Sequence, residues 1–232
     1  MSLFSEFVND WDELTYVPTT LGKVVLALII VALIAVALVF ARKNAVKDSS
    51  DKNPTMKLTI KQLAFCAMCL ALATVLSEIK IFDMPTGGSI TLLSMFVIAL
   101  PGILFGLVPG IVTAVAYGIL QLIIDPYVLY PMQLVVDYIL AFGALGISGL
   151  FYGKKGAVIK GYIAAVIGRY IFSVISGWIF FGAYAWEGWN PLPYSLAYNA
   201  AYIFAEAALT VIILAIPPVN KAVWQVIKLA NE

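Results

Sequence analysis

From Leu21 to Ala41 the chain is apolar with Lys23 as its one charge, a run that suits the roughly 20 residues a helix needs to cross the hydrocarbon layer. Polar positions then dominate from Arg42 to Lys61, with Lys43, Lys47, Asp48, Asp51, Lys52 and Lys57 among them. Six further apolar stretches follow, at about Ile60–Ser77, Ile90–Phe105, Pro109–Ile124, Pro131–Tyr152, Ala157–Phe181 and Tyr194–Ile216. Turn residues part them, notably Pro85-Thr86-Gly87-Gly88, Asp125-Pro126 and Asn190-Pro191-Leu192-Pro193. Only the turn from Gly106 to Gly110 divides Ile90 from Ile124, and both halves are short for spans. The pattern predicts an all-α integral membrane protein with seven transmembrane helices. Residues 1–41 form an N-terminal segment and first helix, 42–57 a polar linker, and 58–232 a six-helix domain. The first helix is an uncleaved span, because Glu6, Asp10, Asp12 and Glu13 precede it where a signal peptide carries basic residues.

Composition agrees: of 232 residues 62% are hydrophobic and 12% charged, with a mean hydropathy of +0.99. Lys and Arg number 14 against 13 Asp and Glu, so overall charge points to no nucleic acid or acidic partner. Charge placement is more informative. Arg42 to Lys61, then Lys154, Lys155 and Lys160, then Lys221 and Lys228 fall in alternate connections, and basic residues beside spans favour the cytoplasm. The N-terminus is therefore expected outside and the C-terminus inside a cell membrane. The loops at Lys80–Ser89, Asp125–Tyr130 and Gly182–Pro193 then lie outside, while polar separation makes Leu21–Ala41 a peripheral addition, dispensable for ligand binding.

Catalytic chemistry is poorly supplied. There is no histidine, which removes imidazole catalysis and the commonest metal ligand. Cys66 and Cys69 have a redox-like spacing inside an apolar stretch, without the βαβ surroundings such a motif needs. Gly153-Lys154 is the nearest approach to a phosphate-cradling loop, but Ser148 stands where its first glycine belongs. No cofactor, metal or nucleotide hydrolysis is expected, and transport fits better than catalysis.

Polar groups in spans are costly unless they face protein or water. Asp137 sits six residues into the Pro131 stretch, beside Tyr138 and one turn after Gln133. Tyr127 precedes it, and Trp186, Tyr194 and Asn199 lie at the same outer level. A carboxylate among aromatic faces suits a flat organic cation, through Coulomb attraction and cation–π contact. Arg169 and Glu206, inside later spans, are expected to pair with each other or with polar backbone. On the stretch from Ile60, Ala64, Ala67 and Ala71 offer a small-residue face for close helix approach.

The segment from Tyr127 to Tyr138 (YVLYPMQLVVDY), followed by Ala141 to Phe151 (AFGALGISGLF), resembles the long signature of the thiamine-specific substrate-capture component of energy-coupling factor transporters. Tyr184 to Trp189 with Tyr194 to Asn199 resembles its second signature, and Gly87-Gly88-Ser89 is also similar. The resemblance runs from about Met56 to Lys228. It implies a six-helix vitamin-binding subunit with an outward pocket, docked on a membrane coupling subunit driven by two cytoplasmic ATPases in a bacterial cell membrane. Asp137 would be the pocket acid, with Tyr138, Tyr127, Trp186, Tyr194 and Asn199 as companions, and Ala64, Ala67 and Ala71 would face the coupling subunit. Ser173 and Phe181 stand where some members carry a stacking histidine and a tryptophan, and the family's usual architecture lacks the span Leu21–Ala41. A component for another vitamin or for a thiamine precursor, and a stand-alone secondary transporter, are the alternatives.

Overall fold

A computed structural model describes residues 2–8, 14–32 and 59–231. The expected polar linker 42–57, the second half of the first span and the acidic residues Asp10, Asp12 and Glu13 lie outside the described residues. Strands β1 (Phe4–Val8) and β2 (Leu14–Pro18) form an antiparallel hairpin. It leads into helix α1, Thr20–Ala32, whose start is capped by the Thr19 hydroxyl accepting the Gly22 amide at 3.1 Å. Helix α2 (Ile60–Ser77) begins with a reciprocal cap. The Thr59 hydroxyl accepts the Gln62 amide, and the Gln62 side chain accepts the Thr59 amide.

A second hairpin, β3 (Lys80–Asp83) with β4 (Ser89–Thr91), precedes α3 (Ser94–Phe105) and α4 (Leu107–Ile124). The chain continues through Pro131–Phe151 as one helical segment, α5, which changes pitch from α-helical (Pro131–Leu134) through π-helical (Val135–Ala141) to 3-10 (Ala144–Phe151). Helices α6 (Ala157–Phe180), α7 (Pro191–Ala215) and α8 (Pro217–Asn231) complete it. Among the described residues, α2, α4, α5, α6 and α7 are long and apolar enough to cross a membrane, while α3 is shorter. The architecture is that of a multi-pass membrane protein of the all-α class, with two short hairpins beside its helices.

The bundle is built around α3, every residue of which is buried. Its neighbours approach through glycine: a Cβ on Gly110 of α4 would lie 2.6 Å from the Gly146 carbonyl of α5, and one on Gly118 would overlap the Tyr138 carbonyl. Without a hydrophobic drive between helices in lipid, such close backbone contact supplies the packing energy.

Several expectations need correction. The stretch expected from Ile90 to Phe105 starts its helix at Ser94, because Ser89–Thr91 pairs with Lys80–Asp83 as a strand. The break before α4 is the single residue Gly106, at φ 99°, and Pro109 falls in the first turn, where no amide is needed. For the same reason Asn190-Pro191-Leu192-Pro193 is a helix start and not a turn, with Asn190 as the flanking residue. Beyond the last span, α8 is amphipathic: Ile227 and Ala230 are buried while Trp224, Val226 and Leu229 are exposed.

Candidate functional site

A cavity of about 360 Å³ opens at the end of the bundle that carries the β3–β4 hairpin and the α4–α5 connection. Its volume falls within the usual range of small-molecule sites. One wall is the π-helical stretch of α5, whose wider turn places the neighbours Asp137 and Tyr138 together on the lining; such turns recur at functional sites. Facing it, α6 contributes Arg169, Ser173 and Gly177, one residue per turn. Helix α7 contributes Tyr194, Ser195, Tyr198, Asn199 and Tyr202 on the same spacing. A Cβ on Gly177 would overlap the Ser195 hydroxyl and approach the Asn199 amide to 3.0 Å, so glycine there lets α6 and α7 close around the cavity.

The polar groups are largely pre-positioned. Asn199 donates to the Ser195 carbonyl at 2.9 Å and accepts the Tyr202 hydroxyl at 2.8 Å. The Tyr198 hydroxyl accepts the Thr86 amide at 2.9 Å and donates to the Gly87 carbonyl at 3.0 Å, fastening the hairpin loop to α7. That loop turns at Gly87 and Gly88, both at positive φ, and a Cβ on either would lie 2.9 Å from an aromatic ring, Tyr127 or Tyr202 respectively.

Across the mouth, the 125–130 connection is held from below. The Tyr138 hydroxyl accepts the Tyr127 amide at 2.7 Å. Gln133 accepts the Leu129 amide and donates to the Tyr127 carbonyl. The Tyr127 ring stacks on Phe181 with centroids 6.1 Å apart. Lys80 reaches Asp125 at 2.7 Å and Asp83 at 3.5 Å. Partial burial pulls the Lys80 pKa down, but the two carboxylates together outweigh it and hold the ammonium above its ordinary value.

Three charged side chains, Glu206 buried and Asp137 and Arg169 half-buried, have different surroundings. Glu206 accepts four hydrogen bonds, from the Thr91 amide and hydroxyl, the Ser94 hydroxyl and the Met95 amide, at 2.8 to 3.2 Å. Of the two pairings left open by the sequence, Glu206 takes polar backbone, with two hydroxyls beside it, and not Arg169. Arg169 lies with its guanidinium 4.6 Å from the Phe142 ring centroid. Asp137 has Ser176, Gln133 and Arg169 as its polar and charged neighbours.

Asp137, Tyr138, Tyr127, Tyr194, Asn199, Phe181 and Ser173 thus come together on one cavity. Trp186 does not line it: half exposed, it packs edge-on against Tyr194 at 5.3 Å and against Trp189. Ala64, Ala67 and Ala71 lie elsewhere, on the exposed face of α2. Reading the sequence alone missed Tyr198, Tyr202, Thr86, Thr91 and Ser94 as lining residues. The Tyr194-Tyr198-Tyr202 spacing was the available signal, since residues four apart share a helix face.

Residues 63–225 match the family described as thiamine transporter protein. The thiamine transporter ThiT of Bacillus subtilis (strain 168) is 36% identical over 164 residues, which is 64% of this chain and 85% of the relative. A solved structure of ThiT from Listeria monocytogenes superposes with a TM-score of 0.59 at 28% identity, covering 67% of this chain and 91% of that one.

Proposed function

This chain belongs to the thiamine transporter protein family, and from that premise we propose that it captures thiamine in the cavity lined by Asp137 for uptake across a bacterial cell membrane. The observation that carries the reading is a carboxylate and stacked aromatic rings on one cavity: Asp137 with Tyr127, Phe181 and Tyr194. Thiamine is a cationic thiazolium joined to a flat aminopyrimidine. Asp137 offers the cation a charge-assisted contact, and the rings offer faces to both heterocycles. Ser173 and Phe181 stand where some members carry a stacking histidine and a tryptophan, so the stacking area on that side is smaller and more of it falls to Tyr127 and Tyr194.

Capture is separate from energy supply in this reading. The mouth faces outward, with the N-terminus outside and the C-terminus cytoplasmic, as the positions of Lys154, Lys155, Lys160, Lys221 and Lys228 favour. A membrane coupling subunit with two cytoplasmic ATPases would drive release. The exposed stripe Ala64, Ala67 and Ala71 on α2 supports close packing of a partner helix there.

Fluorescence titration of the purified protein tests the proposal. Trp186 packs on Tyr194, a lining residue, so thiamine should quench tryptophan emission saturably without nucleotide, while riboflavin and biotin should not. Asp137→Asn should then weaken thiamine binding by about ten- to a hundredfold, the factor for losing a contact worth roughly 1.5–3 kcal/mol. Silence toward thiamine with quenching by another vitamin would reject the assignment. Undiminished binding by a folded Asp137→Asn protein would remove that residue from the site.

A further inference from the structure

The N-terminal hairpin and α1 precede the family match, which begins at residue 63, yet they reach the rim of the cavity. The Tyr16 amide donates to the Val128 carbonyl at 2.7 Å. Tyr16 pairs with Glu6 in the hairpin register, and its amide points away from β1, so β2 spends that hydrogen bond on the α4–α5 connection. Side chains join the same place. Leu122, Val128 and Tyr138 form a buried cluster, and Phe4, Tyr16 and Leu26 pack against it. Lower down, Ile30 of α1 is buried against Ala116 and Ile119 of α4. The hairpin is itself bolted to the helix start, with the Thr19 amide and hydroxyl both bonded to the Leu3 carbonyl.

Val128 lies next to Tyr127, whose ring stacks on Phe181 and whose amide is held by Tyr138. A module that fixes Val128 therefore fixes the ring at the mouth. We propose that the N-terminal hairpin is a clasp on the cavity rim, in which Tyr16 and Phe4 are positioning residues: they hold Val128 and Tyr138, keep Tyr127 stacked, and slow escape of the bound ligand. The inference rests on the capture reading for its ligand. It departs from the expectation that the N-terminal part is peripheral and dispensable for binding, because Tyr16, Phe4 and Leu26 contact the rim.

Point variants in the full chain test it with two readouts. Tyr16→Pro deletes the amide that bonds Val128 together with the ring that packs on the Val128 and Tyr138 cluster and, being on the free edge of β2, leaves the hairpin's own bonds intact. Phe4→Ala removes only packing, Tyr16→Phe keeps amide and ring, and Leu28→Ala alters a residue of α1 that is 61% exposed. Stopped-flow release of thiamine should quicken by at least about three- to tenfold in Tyr16→Pro, the factor for its backbone hydrogen bond alone, and less in Phe4→Ala. Association should stay unchanged, and Tyr16→Phe and Leu28→Ala should match the parent. Hydrogen exchange across residues 125–131 should accelerate in Tyr16→Pro without any ligand. A purely structural role would lower the melting temperature and leave the release rate alone. Parent-like release and parent-like rim exchange in Tyr16→Pro overturn the clasp. If the parent fails to bind thiamine, the capture reading falls, and rim exchange alone decides the clasp: acceleration supports it and no change refutes it. Should Tyr16→Pro fail to insert, Phe4→Ala carries the same two readouts.

Discussion

Replacing Glu206 with glutamine exchanges one carboxylate oxygen for an NH2 group at a place where all four neighbours donate. One oxygen of Glu206 accepts the Ser94 hydroxyl and the Met95 amide; the other accepts the Thr91 amide and hydroxyl. Either hydroxyl can rotate to accept, but a backbone amide cannot, so whichever way the glutamine turns one buried amide faces a donor. That loss is worth about 1.5–3 kcal/mol for a bond to a charged acceptor. The remaining bonds fall from charge-assisted to neutral, roughly half as strong. A net cost of about 2–4 kcal/mol follows. On the scale of globular chains of this size, at roughly 2–4 °C per kcal/mol, the melting temperature in detergent should fall by ~4–16 °C. The bonds also bracket Leu93, whose φ of 61° is left-handed, a conformation that surrounding structure has to enforce. Thr91 and Ser94 line the cavity floor, so thiamine affinity should drop alongside stability. Nanoscale fluorimetry with and without thiamine reads both, with the exposed Glu187→Gln as control. A Glu206→Gln protein melting within a degree of the parent would refute the idea that this carboxylate anchors the start of α3.

Gly177→Ala should insert normally and lose thiamine affinity by about tenfold or more, because its Cβ overlaps the Ser195 hydroxyl and presses on Asn199 and overpacking costs about 1–3 kcal/mol; calorimetric titration measures it. Lys80→Ala should weaken binding by less than about fivefold, since partly exposed ion pairs contribute about 0–1 kcal/mol, and raising the salt concentration should shrink the difference from the parent. Arg169→Met should lower the melting temperature of the ligand-free protein and enlarge the upward shift that thiamine produces, both read by thermal scanning.

Hydropathy made the helical stretches legible because a bilayer imposes one length and one polarity on every span. Where a segment escapes that constraint, legibility fails. Ile90 and Thr91 read as the start of a span because an apolar run follows them, but they belong to the strand that pairs with Lys80–Asp83 at the mouth. Pro191 and Pro193 read as breakers because the same residue type ends helices and starts them, and only their place in the first turn decides. Asp137 was readable as a charge inside an apolar run, as were its aromatic companions from their shared depth. Trp186 has that depth too, yet its ring lies outside the cavity on Tyr194, since depth along a span says nothing of direction around it. The role of Glu206 was hidden because its partners lie more than a hundred residues away in sequence.

On the capture reading proposed above, charge placement sets what this cavity asks of a ligand. A lone carboxylate in a low-dielectric bundle is expensive, and in this chain Asp137 is opposed by the positive charge of Arg169 on the facing helix. Arg169 is itself drawn toward Phe142, with its guanidinium over that ring. Across the lining, Lys80 and Arg169 face Asp83, Asp125 and Asp137, so negative charge exceeds positive by one and Asp137 is only partly offset. A cationic ligand must then do two things: offer Asp137 a closer positive charge than Arg169 does, and bring flat rings for Tyr127, Phe181 and Tyr194. A neutral vitamin can meet the second demand and not the first, and a small inorganic cation the first and not the second. If Asp137 and these rings hold the ligand as proposed, selectivity for an aromatic cation follows from the pair of demands, and the weak partnering of Arg169 keeps the first of them open.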